Sequence, residues 1–250
     1  MPQEIKEDDL VAFIRARYKH VLAQIAEAGA VSEYASKFVR LVVVSKSQPV
    51  KVVQAAISAG ISLFGENYVE EAIEKIATFK ETGVECHMIG HVQSRKAELV
   101  AKHFSMLHSL DNLKLAKRLD RFCNELGRTL PVLLEFNVSG EESKFGLPAW
   151  DEQRWPDLLP EVESILSLSH LKVSGLMTMP PYFTDVEETR PYFWRLRRLR
   201  TFLQERLPQA EWPHLSMGTS TDFLSAVQEG ATYVRIGEAI LGPRPKQKDL

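Results

Sequence analysis

Cysteine is scarce in this 250-residue chain. Its two cysteines, Cys86 and Cys123, have no CxxC spacing. That argues against a disulfide framework or a zinc ribbon and fits a reducing compartment. Charge of one sign is also missing: the formal net charge is -2, so no global basic field points to nucleic acid. No stretch approaches the ~20 consecutive apolar residues of a membrane span. Met1 to Asp9 carries Glu4, Lys6, Glu7, Asp8 and Asp9 and lacks the apolar core of a secretory leader. A soluble, cytoplasmic protein that binds neither nucleic acid nor membrane is expected. The glycine signatures of nucleotide folds are absent too: no GxGxxG follows a strand-like run, and no GxxxxGK[ST] occurs. No low-complexity segment or shift in composition marks a boundary. One domain over 1–250 is therefore expected, with a leading helix in about 1–30 and a flexible tail over about 243–250.

What is present alternates. Val39-Arg40-Leu41-Val42-Val43-Val44-Ser45-Lys46 reads as a strand buried on both faces, because β-branched side chains pack well on a pleated surface. Before it, Leu10, Phe13, Ile14, Tyr18, Val21, Leu22 and Ile25 recur at helical spacing over Asp8 to Ala28. After it come seven further strand-like runs: Ile61 to Gly65, Glu85 to Gly90, Ser105 to Leu110, Leu130 to Val138, Leu171 to Met177, His214 to Met217 and Thr232 to Ile236. Helical patterns separate them: Pro49 to Gly60, Val69 to Phe79, Ser94 to Lys102, Asp111 or Asn112 to Leu126, Glu152 to Leu168, Glu187 to Leu207 and Ser220 to Glu229. Such alternation implies parallel strands with right-handed crossovers. Eight units predict an α/β protein, a closed TIM-type (β/α)₈ barrel with an extra N-terminal helix; an open doubly wound sheet is the competing layout.

Barrels place ligands at the C-terminal ends of their strands. Those ends carry Lys46, Asn67, His91, Asn137 with Lys144 beyond it, Met177, Ser216 to Ser220, and Arg235 to Glu238. Alone, Lys46 reads most simply as a strand-end lysine pointing to solvent. Withdrawn from water or set near another cation, it becomes an amine able to form a Schiff base with an aldehyde. Two Gly-containing turns, Ser216-Met217-Gly218-Thr219-Ser220 and Arg235-Ile236-Gly237-Glu238, run from the last two strands into helices, where this fold binds phosphate. Either turn alone could be simple turn chemistry. Arg235 supplies a donor for a carboxylate or a ring nitrogen. An amine, a phosphate cradle and such a donor together fit pyridoxal 5′-phosphate (PLP), which joins an aldehyde, a phosphate and a pyridine nitrogen.

Seven stretches then carry a resemblance: VVVSK (Val42 to Lys46), FGENYVEE (Phe64 to Glu71), HMIGHVQSRK (His87 to Lys96), FNVSGEESKFG (Phe136 to Gly146), GLMTM (Gly175 to Met179), LSMGTSTDF (Leu215 to Phe223) and VRIGEAILG (Val234 to Gly242). In this order they make the chain resemble the PLP homeostasis protein family, fold-type III PLP barrels related to the N-terminal domain of alanine racemase. The resemblance implies that Lys46 forms the Schiff base and that Asn67 lies close to the ring. It implies that Ser220 and backbone N–H groups around Gly218, Gly237 and Glu238 hold the phosphate, and that Arg235 faces the pyridine nitrogen. Met177 and Ser216 fall within the same motifs and are counted with the cofactor site. Thr219 stands where the family usually has a second methionine, Glu238 where a small residue is common, and Val92 where the pattern has leucine. A Glu238 side chain that reached the phosphate would weaken binding.

An arginine that does not readily give up its proton leaves the ring nitrogen neutral, a weak electron sink. That disfavours transaminase and decarboxylase chemistry. Racemisation would need a second base. Alanine racemase supplies it as a tyrosine through an extra β-domain, which is not expected here because the last barrel element lies close to Leu250. Tyr68, Tyr182 and Tyr233 are the substitutes, with Tyr233 reading as core and Tyr182 as the best placed. The expected function is a PLP carrier that releases the aldehyde to amino acids or to apo-enzymes that use PLP, with Lys144 as a candidate exchange lysine; the alternative is an amino-acid racemase. A monomer is expected. Cys86, His87, His91 and His108 make a weak metal set, since strand neighbours Cys86 and His87 point to opposite faces. Arg190, Arg195, Arg197, Arg198, Arg200 and Arg206 read as the solvated face of a helix whose apolar stripe is Tyr192, Leu196, Leu199 and Leu203.

Overall fold

A computed structural model describes residues 7–78 and 83–244. The leading helix α1 spans Glu7–Ala30 and lays Ile14, Val21, Ile25 and Ala28 against the body. Strands and helices then alternate: β1 (Arg40–Val44), α2 (Val50–Ser58), β2 (Leu63–Glu66), α3 (Val69–Ala77), β3 (Glu85–Met88), α4 (Ala97–His103), β4 (Met106–Leu110), α5 (Leu113–Glu125) and β5 (Leu130–Asn137). The second half runs β6 (Leu147–Pro148), α6 (Leu159–Leu166), β7 (Leu171–Met177), α7 (Arg190–Arg206), β8 (His214–Ser216), α8 (Phe223–Gln228), β9 (Tyr233–Ile236) and α9 (Glu238–Leu241). All pairings are parallel. The pairing of β4 with β5 closes the sheet, so eight strands form the ring expected of a (β/α)₈ barrel.

The differences from the sequence expectation have local causes. β6 is a ninth, two-residue strand that leans on the exit of β5, with Phe136 beside Leu147 and Asn137 beside Pro148. Two helical segments are divided at prolines. Residues Glu152–Leu158 form a 3₁₀ turn containing Pro156 before α6, which starts with Pro160 in its first turn. Likewise Val186–Thr189 is 3₁₀ before α7, which starts with Pro191. Proline lacks the N–H an interior helical bond needs but suits a first turn. The last two turns of the barrel lead into short helices, and Ser220 lies in the turn ahead of α8. The end of the helix expected to reach Phe79, and the tail beyond Arg244, lie outside the described residues. The α7 arginines are not a merely solvated face: Arg197 and Arg190 pair with the nearly buried Glu229 at 3.0 and 3.3 Å, Arg198 pairs with Glu152, and Arg195 donates to the Val138 carbonyl at 2.6 Å.

Alternation along the strands separates two cores. Leu41, Val43, Phe64, Leu107, Val132, Leu134, Val234 and Ile236 face the helices and join one large apolar cluster. The other face forms a small cluster of Val42, Leu63, Met106, Leu133, Met177 and Tyr233. Strand residues two apart share a face. Glu85, His87, His108 and Arg235 are therefore on this inner side, and the barrel interior is partly polar.

Candidate functional site

The C-terminal ends of the strands enclose a cleft of about 690 Å³. Its walls include Lys46, Asn67, His91, Glu135, Lys144, Tyr182, Ser220, Arg235, Gly237 and Glu238. Six of the nine residues expected at a cofactor site (Lys46, Asn67, Ser220, Arg235, Gly237 and Glu238), and the exchange candidate Lys144, thus share one cavity.

Lys46 leaves β1 into a turn held on both sides. The Ser45 carbonyl accepts from Lys75 Nζ at 2.5 Å, and Ser45 Oγ donates to Glu66 Oε1 at 2.7 Å. Ser47, at φ 58°, donates its N–H to Glu71 Oε1 at 2.5 Å. Lys75 is buried between Glu66 and Glu71 at 2.8 and 2.5 Å, so an ion triad fixes the backbone that carries Lys46. Burial, with the Arg244 guanidinium adding to it, holds the Lys46 amine below the ordinary lysine value against the pull of Glu66 and Glu71. A lowered value makes the neutral, nucleophilic amine more accessible near pH 7.

Arg235 is buried at the end of β9. It donates from Nη1 to Ser216 Oγ at 2.6 Å and from Nη2 to the Thr178 carbonyl at 2.9 Å, with Met179 Sδ at 2.8 Å from Nη2. Burial pushes its pKa down to about 10, so it stays charged at neutral pH. A guanidinium has more N–H groups than these contacts use, and Arg235 lines the cleft. Asn67 Oδ1, just beyond β2 and so two strands round the ring from Arg235, is buried and without a hydrogen-bond partner among the described residues.

The glycines of the last two turns have a packing reason of their own. A Cβ at Gly218, where φ is +90°, would lie 2.6 Å from Ala226 Cβ, and one at Gly237 would lie 2.7 Å from the Val44 carbonyl. Thr219 explains itself: its N–H and Oγ1 both bond Asp222 Oδ1, at 2.6 and 2.9 Å. This closes the turn and leaves Ser220 and Thr221 exposed at the cleft. The Glu238 side chain is exposed, so its charge is solvated at the rim.

Three of the nine expected cofactor-site residues lie off the cleft wall. Met177 is buried in the inner core, and its neighbour Met179 lines the cleft instead. Ser216 is fully buried beneath Arg235, and Gly218 is buried within its turn. Lys144 lines the cleft and donates to the Pro180 carbonyl at 3.3 Å. Tyr182 is 81% exposed at the mouth, whereas Tyr233 is core. Glu135, Met179 and Arg244 were missed by sequence reasoning. Glu135 had a signal, being a lone carboxylate inside the apolar run Leu133 to Phe136. Burial and the nearby Asp111 push its pKa up to about 7, against Arg235 and Lys144.

A nucleophilic amine, a guanidinium donor, an orphan acceptor and a hydroxyl-bearing turn around one cavity fit an aldehyde, a ring nitrogen and a phosphate. The comparisons with known proteins agree. The model of the alanine racemase N-terminal domain family matches residues 22–245; fold and site thus define a barrel of that class. The pyridoxal phosphate homeostasis protein of Aquifex aeolicus is 38% identical over 229 residues, covering 91% of this chain and 97% of its own. PipY of Synechococcus elongatus is 33% identical, with 92% of this chain and all of PipY covered. Its structures without and with PLP bound superpose with TM-scores of 0.81 and 0.79. The chain belongs to the pyridoxal phosphate homeostasis protein family. An alanine racemase of Clostridium difficile shares the fold at 14% identity, TM-score 0.65, over 94% of this chain and 58% of its own.

Proposed function

We propose that this protein is a cytoplasmic, monomeric, single-domain PLP carrier that holds the cofactor as a Schiff base on Lys46 and releases it to amines, including those of apo-enzymes. The observation that carries this reading is the placement of the Lys46 amine and the Arg235 guanidinium in one cleft beside the Ser220 turn. It is supported by the relatives' name and by the PLP-bound PipY structure.

When bound, PLP supplies an electrophilic aldehyde and an electron-accepting ring. Lys46 provides the attacking amine, made available by burial and by Arg244. Ser220 and Thr221, with the N–H groups of Gly237 and Glu238, bind the phosphate. Asn67 Oδ1 accepts from the ring side of the ligand. Arg235 donates to the ring nitrogen and keeps it neutral, so carbanion chemistry is weakly supported. Met179, rather than Met177, packs against the ligand, and Ser216 acts by holding Arg235. Lys144 is the amine through which PLP is handed outward.

The alternative, an amino-acid racemase, has one observation in its favour: Tyr182 stands at the cleft mouth. The test is to add L-alanine to the PLP-loaded protein in deuterated solvent. The carrier reading predicts loss of the lysine-bound absorbance band with no deuterium at Cα. Deuterium in recovered alanine, abolished by Tyr182→Phe, would establish the racemase instead.

A further inference from the structure

A hydrogen-bonded chain crosses the barrel interior beneath Arg235. Arg235 Nη1 meets Ser216 Oγ at 2.6 Å. Ser216 Oγ lies 2.9 Å from His108 Nδ1, and His108 Nε2 lies 3.0 Å from His87 Nδ1. His87 Nε2 reaches Glu85 Oε2 at 3.2 Å. Glu85 is clamped by Arg40 at 3.0 Å to each oxygen, and Arg40 also donates to the Tyr233 hydroxyl at 3.2 Å. Arg40 and Glu85 begin their strands, at the opposite end of the barrel from the cleft, and are nearly half exposed.

The two ends give this chain a single direction. Arginine can only donate, and an ionised carboxylate can only accept. The hydrogen bond from His87 and the Arg40 charge hold Glu85 at about 2, so it is ionised. His87 therefore carries its proton on Nε2 and accepts at Nδ1. His108 carries its proton on Nε2 and accepts at Nδ1 from the Ser216 hydroxyl. With its proton turned to His108, Ser216 presents a lone pair to Arg235. Burial holds both imidazoles below the ordinary histidine value, His108 well below it, in keeping with two neutral rings. Any other pair of neutral tautomers would set N–H against N–H, lone pair against lone pair, or a lone pair against the carboxylate.

We infer that Ser216 and His108 are positioning residues: with His87 and Glu85 they form a one-way chain that fixes the Arg235 guanidinium at the ligand's ring nitrogen. This rests on the cofactor reading above. It also makes the ring nitrogen responsive to Glu85, on the far face of the barrel. Ser216→Ala removes a hydrogen bond to the charged Arg235, a loss that corresponds to about a tenfold fall in PLP affinity, and His108→Phe removes the acceptor that orients the Ser216 hydroxyl.

The test is an absorbance titration of the protein with PLP, together with the ¹⁵N resonance of PLP labelled at the ring nitrogen. We expect Ser216→Ala, His108→Phe and Glu85→Met each to weaken binding and to move the resonance toward its position in Arg235→Gln. In the Arg235→Gln background none of them should have a further effect, because they act through Arg235. His108→Asn, whose Oδ1 can accept from Ser216, should restore the resonance. If His108→Phe fails to fold, Ser216→Ala and Glu85→Met carry the same comparison. A wild-type protein that takes up PLP while these variants leave the resonance unmoved, or lower affinity additively with Arg235→Gln, overturns the chain alone. A wild type that takes up no PLP overturns the cofactor reading and the chain with it.

Discussion

Glu135→Gln should change how stability depends on pH. The Glu135 carboxyl is 7% exposed at the floor of the cleft. Burial and the charge of Asp111 outweigh the attraction of Arg235 and Lys144, and its pKa is pushed up from 4.5 to about 7. The unfolded chain releases this proton near 4.5, whereas the folded protein keeps it to about 7. Between those values the folded state binds more protons, so its stability falls as pH rises. The full interval corresponds to about 3 kcal/mol, of which about 2–3 kcal/mol falls between pH 5 and pH 8. Glutamine has the same shape and does not titrate. Urea unfolding of ligand-free wild type and Glu135→Gln at pH 5 and pH 8 reads the difference directly. The variant should gain on the wild type by about 2–3 kcal/mol across that range. Parallel behaviour at the two pH values would refute the reasoning, because it would mean that Glu135 ionises in the folded protein as it does in the unfolded chain.

Lys75→Met leaves the buried Glu66 without its cation and should cost about 3–5 kcal/mol in urea unfolding. Adding Glu66→Gln should recover much of that loss, and failure to recover would show that the triad is not the cause. Gly237→Ala places a methyl 2.7 Å from the Val44 carbonyl, two residues before Lys46. It should weaken PLP binding by at least about tenfold in a fluorescence titration, about 1.4 kcal/mol or more. Unchanged binding would mean that the β1 exit yields freely.

The barrel was legible because its strands are short β-branched runs separated by helical periods, and Lys46 and Arg235 end two such runs at the positions where this fold gathers its ligands. β6 was not legible, since two residues carry no period. The turns at Pro156 and Val186 to Thr189 were hidden because 3₁₀ and α patterns differ little over one turn. Met177 was assigned to the site because it ends a strand, but inward and outward faces alternate and it falls in the packed layer below the cleft. The polar interior was the largest omission. His87 and His108 lie on neighbouring strands, but their meeting with Ser216 depends on the closed ring and its register, which no single strand encodes. Lys75 looked like an ordinary helix lysine, and only the fold buries it under the Lys46 turn.

The most direct measurement is borohydride reduction of the PLP-treated protein, followed by peptide mapping by mass spectrometry. The account predicts one stoichiometric phosphopyridoxyl group on the peptide containing Lys46, and no visible absorbance band of lysine-bound cofactor in Lys46→Ala. A label found mainly on other lysines, with the band intact in Lys46→Ala, would contradict it.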